Sequence, residues 1–338
     1  MNRAYIGPIF RAFVIASAIA ASLYAAILPL AAGSIEVKEM RYLGSPNRVT
    51  FPELAEDLGY LGSLKLKSVG DATGGPQSLQ AVVTGDADFG SAFNGSLLNL
   101  RAAKAPLKAV VSYYGTDAQT WRGIYVRDDG PIRTPKDLVG KKIAVNTLGA
   151  YFEFIIKEYL ARNGIGQEDI KKVTLAPMPF ISAEQALRQG VIDAAVLEDI
   201  FREKAVARGG LRLLFSDYDL FGPFQAATIV LHEKFLQSNP NASRLFVEGT
   251  ARAIEWTRDR PREEVIARFK EIIRKRARRN ETTDIVDYWQ SAGVGVKGGV
   301  IQEREFTVFH EWLVANGQIK AGLIDPKSAY TNDLNPYR

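Results

Sequence analysis

The sequence contains no cysteine and only two histidines, His232 and His310. Disulfides, thiolate metal sites and thiol nucleophiles are therefore excluded. Two histidines so far apart give no sequence basis for a zinc site, and structural roles are expected for both. The phosphate-cradling Gly-Lys-Ser/Thr loop is missing, as is the Gly-x-Ser-x-Gly elbow of serine hydrolases. Charge is also scarce at the start, where Arg3 and Arg11 are the only charged residues before Glu36. Between Ala12 and Ala32 runs a stretch rich in Ala, Ile and Leu, which ends at Ala31-Ala32-Gly33. A basic start, an apolar middle and a small-residue exit form the pattern of a cleaved export signal over residues 1–33. A retained anchor is the rival reading, since about 20 apolar residues span a bilayer. A lipid-anchored precursor needs a cysteine at the cleavage point, so that route is closed. The expected location is periplasmic.

What remains is ordinary globular sequence, 46% hydrophobic and 24% charged across 338 residues, enough for two lobes with separate cores. Loss of Arg3 and Arg11 takes the formal net charge from +5 to +3, a weak basic bias that gives no reason to expect nucleic acid. The run Arg274-Lys275-Arg276-Ala277-Arg278-Arg279 reads as a solvated helix end with favourable dipole interactions, or as a basic contact patch.

Strand-like and helix-like segments alternate, which predicts an α/β protein with mostly parallel sheets. Strands are expected at 35–42, 65–68, 123–126 and 226–231. Helices are expected at 51–58, 77–84, 239–258, 261–279, 283–291 and 303–316. One phrase occurs twice: a helix ends at a glycine, and three residues later an aspartate opens a strand. It appears at Gly85 and Asp88 and again at Gly190 and Asp193. Ser182 and Gln185 form a capping-box pair at the second of these helices. Thr134 and Pro135 suit the N-cap and first position of a short helix. The repetition suggests two lobes built alike, residues 34–125 with 225–338 and residues 126–224, with hinges near 125–127 and 224–226.

Three blocks carry a family resemblance: Thr84-Gly85-Asp86-Ala87-Asp88-Phe89-Gly90, the stretch Pro135 to Val145, and Ala186-Leu187 with Gly190 and Ile192-Asp193-Ala194-Ala195. In this order they resemble the nitrate/sulfonate/taurine-type solute-binding proteins of ABC importers, a family that includes binders of thiamine-precursor pyrimidines. The resemblance runs from about residue 36 to 260. It implies a two-lobed periplasmic binding protein type II fold with two crossovers and C-terminal helices on the first lobe. It also implies a small-molecule ligand in the interlobe cleft, an inner-membrane permease as partner, a monomer, and neither cofactor nor catalysis. Same-fold enzymes of thiamine or quinone precursor biosynthesis are the alternative, and a membrane-anchored sensor or adaptor domain is another.

The resemblance places four loops at the cleft. They contribute Ser45 and Asn47, then Thr73, Gly74 and Gly75, then Phe93 and Asn94, and finally Thr147, Gly149, Ala150 and Tyr151. Helix N-termini there would offer unpaired N–H groups to an anion or a carbonyl. Plain capping and tight turns would account for the same residues. Asn94 and Thr147 are the favoured pair. Trp121, beside the crossover, lines either a pocket wall or the core. Glu198-Asp199 stands where family members often carry Glu-Pro. Glu198 is either a cleft carboxylate for an amine-bearing ligand or an acid at a helix start. The expected ligand is a small organic anion or zwitterion, such as an alkanesulfonate, taurine or nitrate.

Overall fold

The computed structural model describes residues 34–279 and 281–338. The expected leader lies outside the described residues.

The described chain opens with a β-α-β unit. Strand β1 (Glu39–Gly44) pairs in parallel with β2 (Lys65–Asp71), and helix α1 (Phe51–Asp57) connects them. Thr50 and Glu53 form a capping box at the start of α1. Helix α2 (Gly75–Thr84) stops at Gly85, whose φ of 79° is left-handed. Next come β3 (Phe89–Phe93), α3 (Asn94–Ala102) and β4 (Leu107–Thr116). The chain then enters a second sheet. Its members are β5 (Arg122–Arg127), β6 (Lys142–Val145), β7 (Thr174–Pro177), β8 (Ala194–Glu198) and β9 (Leu211–Ser216), in the spatial order β7-β6-β8-β5-β9. Helices α4 (Tyr151–Arg162), α5 (Gln167–Ile170), α6 (Phe180–Arg188) and α7 (Asp199–Ala207) connect them. After α8 (Asp217–Phe221), strand β10 (Phe224–His232) returns to the first lobe between β3 and β4. Helices α9 (Glu233–Ser238), α10 (Pro240–Asp259), α11 (Arg262–Arg276) and α12 (Arg304–Ala315) follow.

The sheets are less parallel than expected. Strand β10 is antiparallel to both β3 and β4, and β5 is antiparallel to both β8 and β9. These are the two strands that carry the chain between lobes, so each enters its sheet from the opposite end. The whole of β5 pairs within the second sheet, so the outward crossing precedes Arg122 instead of following Tyr125. The helix expected to begin near Ser182 starts two residues earlier, after Pro179, and the Ser182–Gln185 capping box does not form. The segment 283–291 makes only a 3-10 turn, Asp284–Tyr288.

The repeated phrase has one structural meaning in both lobes. Asp88 accepts a hydrogen bond from the Arg41 backbone N–H at 2.7 Å, and Asp193 accepts from that of Lys142 at 2.8 Å. Each aspartate also sends its own N–H to the carbonyl of the same partner residue. Helix, left-handed glycine and aspartate thus tie the start of each new strand to an earlier strand of its lobe, to β1 in the first and to the parallel neighbour β6 in the second. The two lobes are joined by an aromatic core: Phe309 of α12 touches Phe93, Phe154 and Phe224 at centroid distances of 4.4, 5.0 and 5.2 Å.

Candidate functional site

The lobes meet where loops at the ends of strands approach each other. Ser96 Oγ donates to the Gly149 carbonyl at 3.0 Å, and Asn146 Nδ2 donates to the Thr73 carbonyl at 3.4 Å. A Cβ at Gly74 would lie 2.7 Å from Thr147 Cγ2, so only glycine permits this approach. The structure is that of a shut cleft.

At its centre lies a chain of charges. Arg48 leaves the loop between β1 and α1 and reaches Glu198 at the end of β8, Nη2 to Oε1 at 2.6 Å. Glu198 Oε2 accepts from Arg122 Nε at 3.2 Å, and this second pair lies within one lobe because Arg122 and Glu198 face each other in the β5–β8 register. Asp217 accepts the Arg122 backbone N–H at 2.8 Å and the Tyr151 hydroxyl at 3.0 Å. Asp199 Oδ2 stands 3.9 Å from Arg48. The Arg48 guanidinium lies over the rings of Phe201 and Phe180 at 5.5 and 5.9 Å, and that of Arg122 over Tyr114 at 4.6 Å.

Burial and pairing compete in these groups. Burial would raise the Glu198 pKa, but Arg48 and Arg122 together hold it below the usual carboxylate value. Burial raises Asp199, with Arg48 opposing, and pushes Asp217 up to about 6 against the pull of Arg122. Burial also lifts the Tyr113 phenol to about 12, although Arg48 nearby pulls it down.

Of the residues expected at the cleft, Thr73, Gly74, Thr147, Gly149 and Glu198 are brought together at the lobe contact. Others are not. Asn94 is fully buried; its Nδ2 donates to the Glu305 carbonyl at 3.1 Å and its Oδ1 accepts from Thr228 Oγ1 at 3.0 Å. Both amide atoms are spent inside the first lobe, which removes Asn94 from the candidate ligands. Phe93 and Tyr151 are 4% and 2% exposed and belong to the aromatic core, with Ala150 buried next to Tyr151. Trp121 packs with Leu213 and Tyr125 on the helix-covered side of the second sheet, under the Arg202 guanidinium at 3.6 Å, so the core reading holds. Gly75 presses on Ala92. The Ser45 carbonyl closes a turn onto the Arg48 N–H at 3.3 Å. Asn47, left-handed at φ 62°, accepts from the Thr282 N–H and donates its own N–H to Glu281. Ser45 and Asn47 therefore shape the loop that presents Arg48.

The helix N-termini are less available than expected. Glu153 takes the Gly149 N–H at 3.0 Å, and Gln77 takes that of Thr73 at 3.0 Å. Arg48, Arg122, Asp217, Phe180 and Phe201 were not anticipated. The nearest signal was position, since Arg48 follows the Ser45–Asn47 loop directly and Arg122 follows Trp121. The basic run also differs from expectation: α11 ends at Arg276, and Arg276 and Arg278 turn inward onto Glu53, each at 2.9 Å. Arg276 further donates to the Arg48 carbonyl at 2.8 Å and so braces the site from behind.

Two surface cavities lie away from the lobe contact. One of about 990 Å³ is lined by Tyr42, Glu53, Lys65 and Arg278, and one of about 620 Å³ by Pro135, Asn163 and Asp169. Neither includes a residue of the central charge chain. Among the described residues no cluster of three or more His, Asp or Glu could hold a metal, and no helix is long and apolar enough to cross a membrane.

Comparison with known proteins agrees with this architecture. A putative aliphatic sulfonates-binding protein of Escherichia coli (strain K12) is 31% identical over 148 residues, 43% of this chain and 44% of that protein, so the match spans less than half of the relative. The alkanesulfonate-binding protein SsuA from Xanthomonas axonopodis pv. citri, solved bound to MOPS, aligns over 88% of this chain and 99% of its own with a TM-score of 0.69 at 20% identity. The periplasmic nitrate-binding protein NrtA from Synechocystis PCC 6803 aligns over 89% and 88% with a TM-score of 0.70 at 13% identity. At such identities the structural likeness establishes the two-lobed fold. The NMT1/THI5-like family model matches residues 54–264, well over half of the chain, and the protein belongs to that family.

Proposed function

We propose that this protein is the solute-binding component of an ABC importer, exported to the periplasm, and that it takes a small organic anion or zwitterion between its lobes. The lobes are residues 36–121 with 222–338, and residues 122–221. The observation that carries the reading is the Arg48–Glu198 bridge, in which a loop of one lobe meets a strand end of the other at 2.6 Å. The two partners travel on different lobes, so opening separates them and exposes a guanidinium to a carboxylate-lined wall. A solute that fills the gap restores the pairing and favours closure, and the closed face is what a permease would engage. The ligands named for the relatives, a sulfonate buffer and nitrate, are small anionic or zwitterionic molecules and agree with this scale.

The test is native mass spectrometry of protein purified from the periplasmic fraction, followed by thermal-shift titration with alkanesulfonates, 2-aminoethanesulfonate and nitrate. A stoichiometric small-molecule adduct, released unchanged on denaturation, is the expected outcome. Absence of any adduct together with flat titrations, or chemical conversion of the bound compound, would overturn the reading.

A further inference from the structure

The central charges do not balance when the lobes part. Arg122 and Glu198 stay together on the second lobe, and Arg48 leaves with the first. The wall left behind carries Glu198, Asp199 and Asp217 against the single guanidinium of Arg122. Arg202 does not correct the imbalance, because it is occupied by Glu203 and by the Gln119 and Trp121 carbonyls. The wall is also aromatic: Phe180 and Phe201 flank the point where Arg48 now sits. Rings beside carboxylates form the environment in which a cation is held both by ring quadrupoles and by ion pairing. The structure shows such a cation in place, supplied by the chain itself.

We propose that Phe180, Phe201, Glu198 and Asp199 form a cation subsite, that Arg48 occupies it in the structure, and that the natural solute carries an amine or guanidine group that takes this seat. The displaced Arg48 then faces the solute's anionic end. The inference rests on the reading that the solute enters between the lobes, and it narrows that reading from anions to zwitterions.

A matched pair of probes tests it. Calorimetric titration of the full protein with ethanesulfonate and with 2-aminoethanesulfonate changes only the amine. The amine-bearing probe is expected to bind at least tenfold tighter, and the advantage is expected to fall below threefold in Asp199→Asn and in Glu198→Gln. Asparagine tolerates the left-handed backbone of residue 199, where φ is 48°, so Asp199→Asn keeps the fold. Equal or tighter binding of ethanesulfonate by the unaltered protein overturns the subsite. If neither sulfonate binds, Arg48→Ala is titrated with ethylguanidinium. Saturable binding there upholds the subsite and sinks only the sulfonate reading, whereas no binding overturns the subsite itself.

Discussion

Glu305 is a carboxylic acid held where a carboxylate is costly. It is fully buried at the start of α12, its Oε2 accepts the Gln302 N–H at 3.1 Å, and its Oε1 has no partner. Burial pushes its pKa from 4.5 up to about 8. The folded state therefore keeps a proton that the unfolded chain loses above pH 4.5. The stabilisation is complete below that pH and is lost as pH rises through about 8, with a limiting slope of roughly 1.4 kcal/mol per pH unit. Asp217 acts with the same sign but between 3.8 and about 6, so the window from pH 6.5 to 8 isolates Glu305. Urea unfolding in that window is expected to show falling stability in the unaltered protein and a flatter profile in Glu305→Gln. Parallel profiles would refute the assignment. The sequence disclosed little of this. A glutamate in the first turn of a helix reads as a favourable dipole partner, and only the tertiary packing shows that this one is buried. Asn94 misled for the same reason: its place at a helix start is visible in the sequence, whereas its enclosure by Thr228 and Glu305 depends on strands and helices distant in the chain.

At the scale of elements, local chemistry was the legible part. Gly85 ends α2 as its sequence context demands, and the twin aspartates open strands in both lobes because the same short-range pattern recurs. Less legible were the directions of β5 and β10, which follow from the chain's passage between lobes and leave no mark on hydrophobic periodicity. The loops before α2 and α4 show how such elements are set against each other. Gly74 has an extended backbone that any residue can adopt, so its demand is purely one of space. A Cβ there would lie 2.7 Å from Thr147 Cγ2, 3.2 Å from Thr147 Cβ and 3.3 Å from Asn146 Nδ2. Only the first of these is prohibitively short; the other two ask their neighbours to give by a few tenths of an ångström. Gly74→Ala is therefore expected to leave the stability of each lobe nearly unchanged while it props the cleft and weakens solute binding by about tenfold, or about 1.4 kcal/mol. Thr147→Ala in the same protein removes the nearest atom and is expected to recover most of that loss. A double variant as weak as Gly74→Ala alone would show that the contact does not limit closure.

For the whole molecule, the ion pairs that join the two lobes among the described residues are those of Arg48 with Glu198 and Asp199. Loss of Arg48 does not orphan Glu198, which keeps Arg122 at 3.2 Å, so the cost falls on closure and not on the second lobe's fold. Arg48 keeps about a quarter of its side chain exposed, which tempers the bridge relative to a fully buried pair. An interlobe contribution of about 1–2 kcal/mol is consistent with that geometry and corresponds to a roughly 5- to 30-fold shift in the open-to-shut ratio. The lack of cysteine makes the shift measurable, since cysteines placed at Lys67 and Lys171, both more than half exposed and on different lobes, would be the only labelling points. Electron-spin distance distributions between these labels are expected to show a larger long-distance population in Arg48→Ala, and a smaller change of the same sign when salt is raised in the unaltered protein. A saturating solute that makes its own contacts to both lobes should return Arg48→Ala towards the short distance. The aromatic core around Phe309 opposes wide opening, because Phe93 and Phe224 of one lobe and Phe154 of the other share that ring. The long-distance population should therefore be a hinge rotation about this core, seen as one shifted peak. A broad, featureless distribution would mean that the core itself had come apart and that Arg48 holds the fold together instead of gating the cleft.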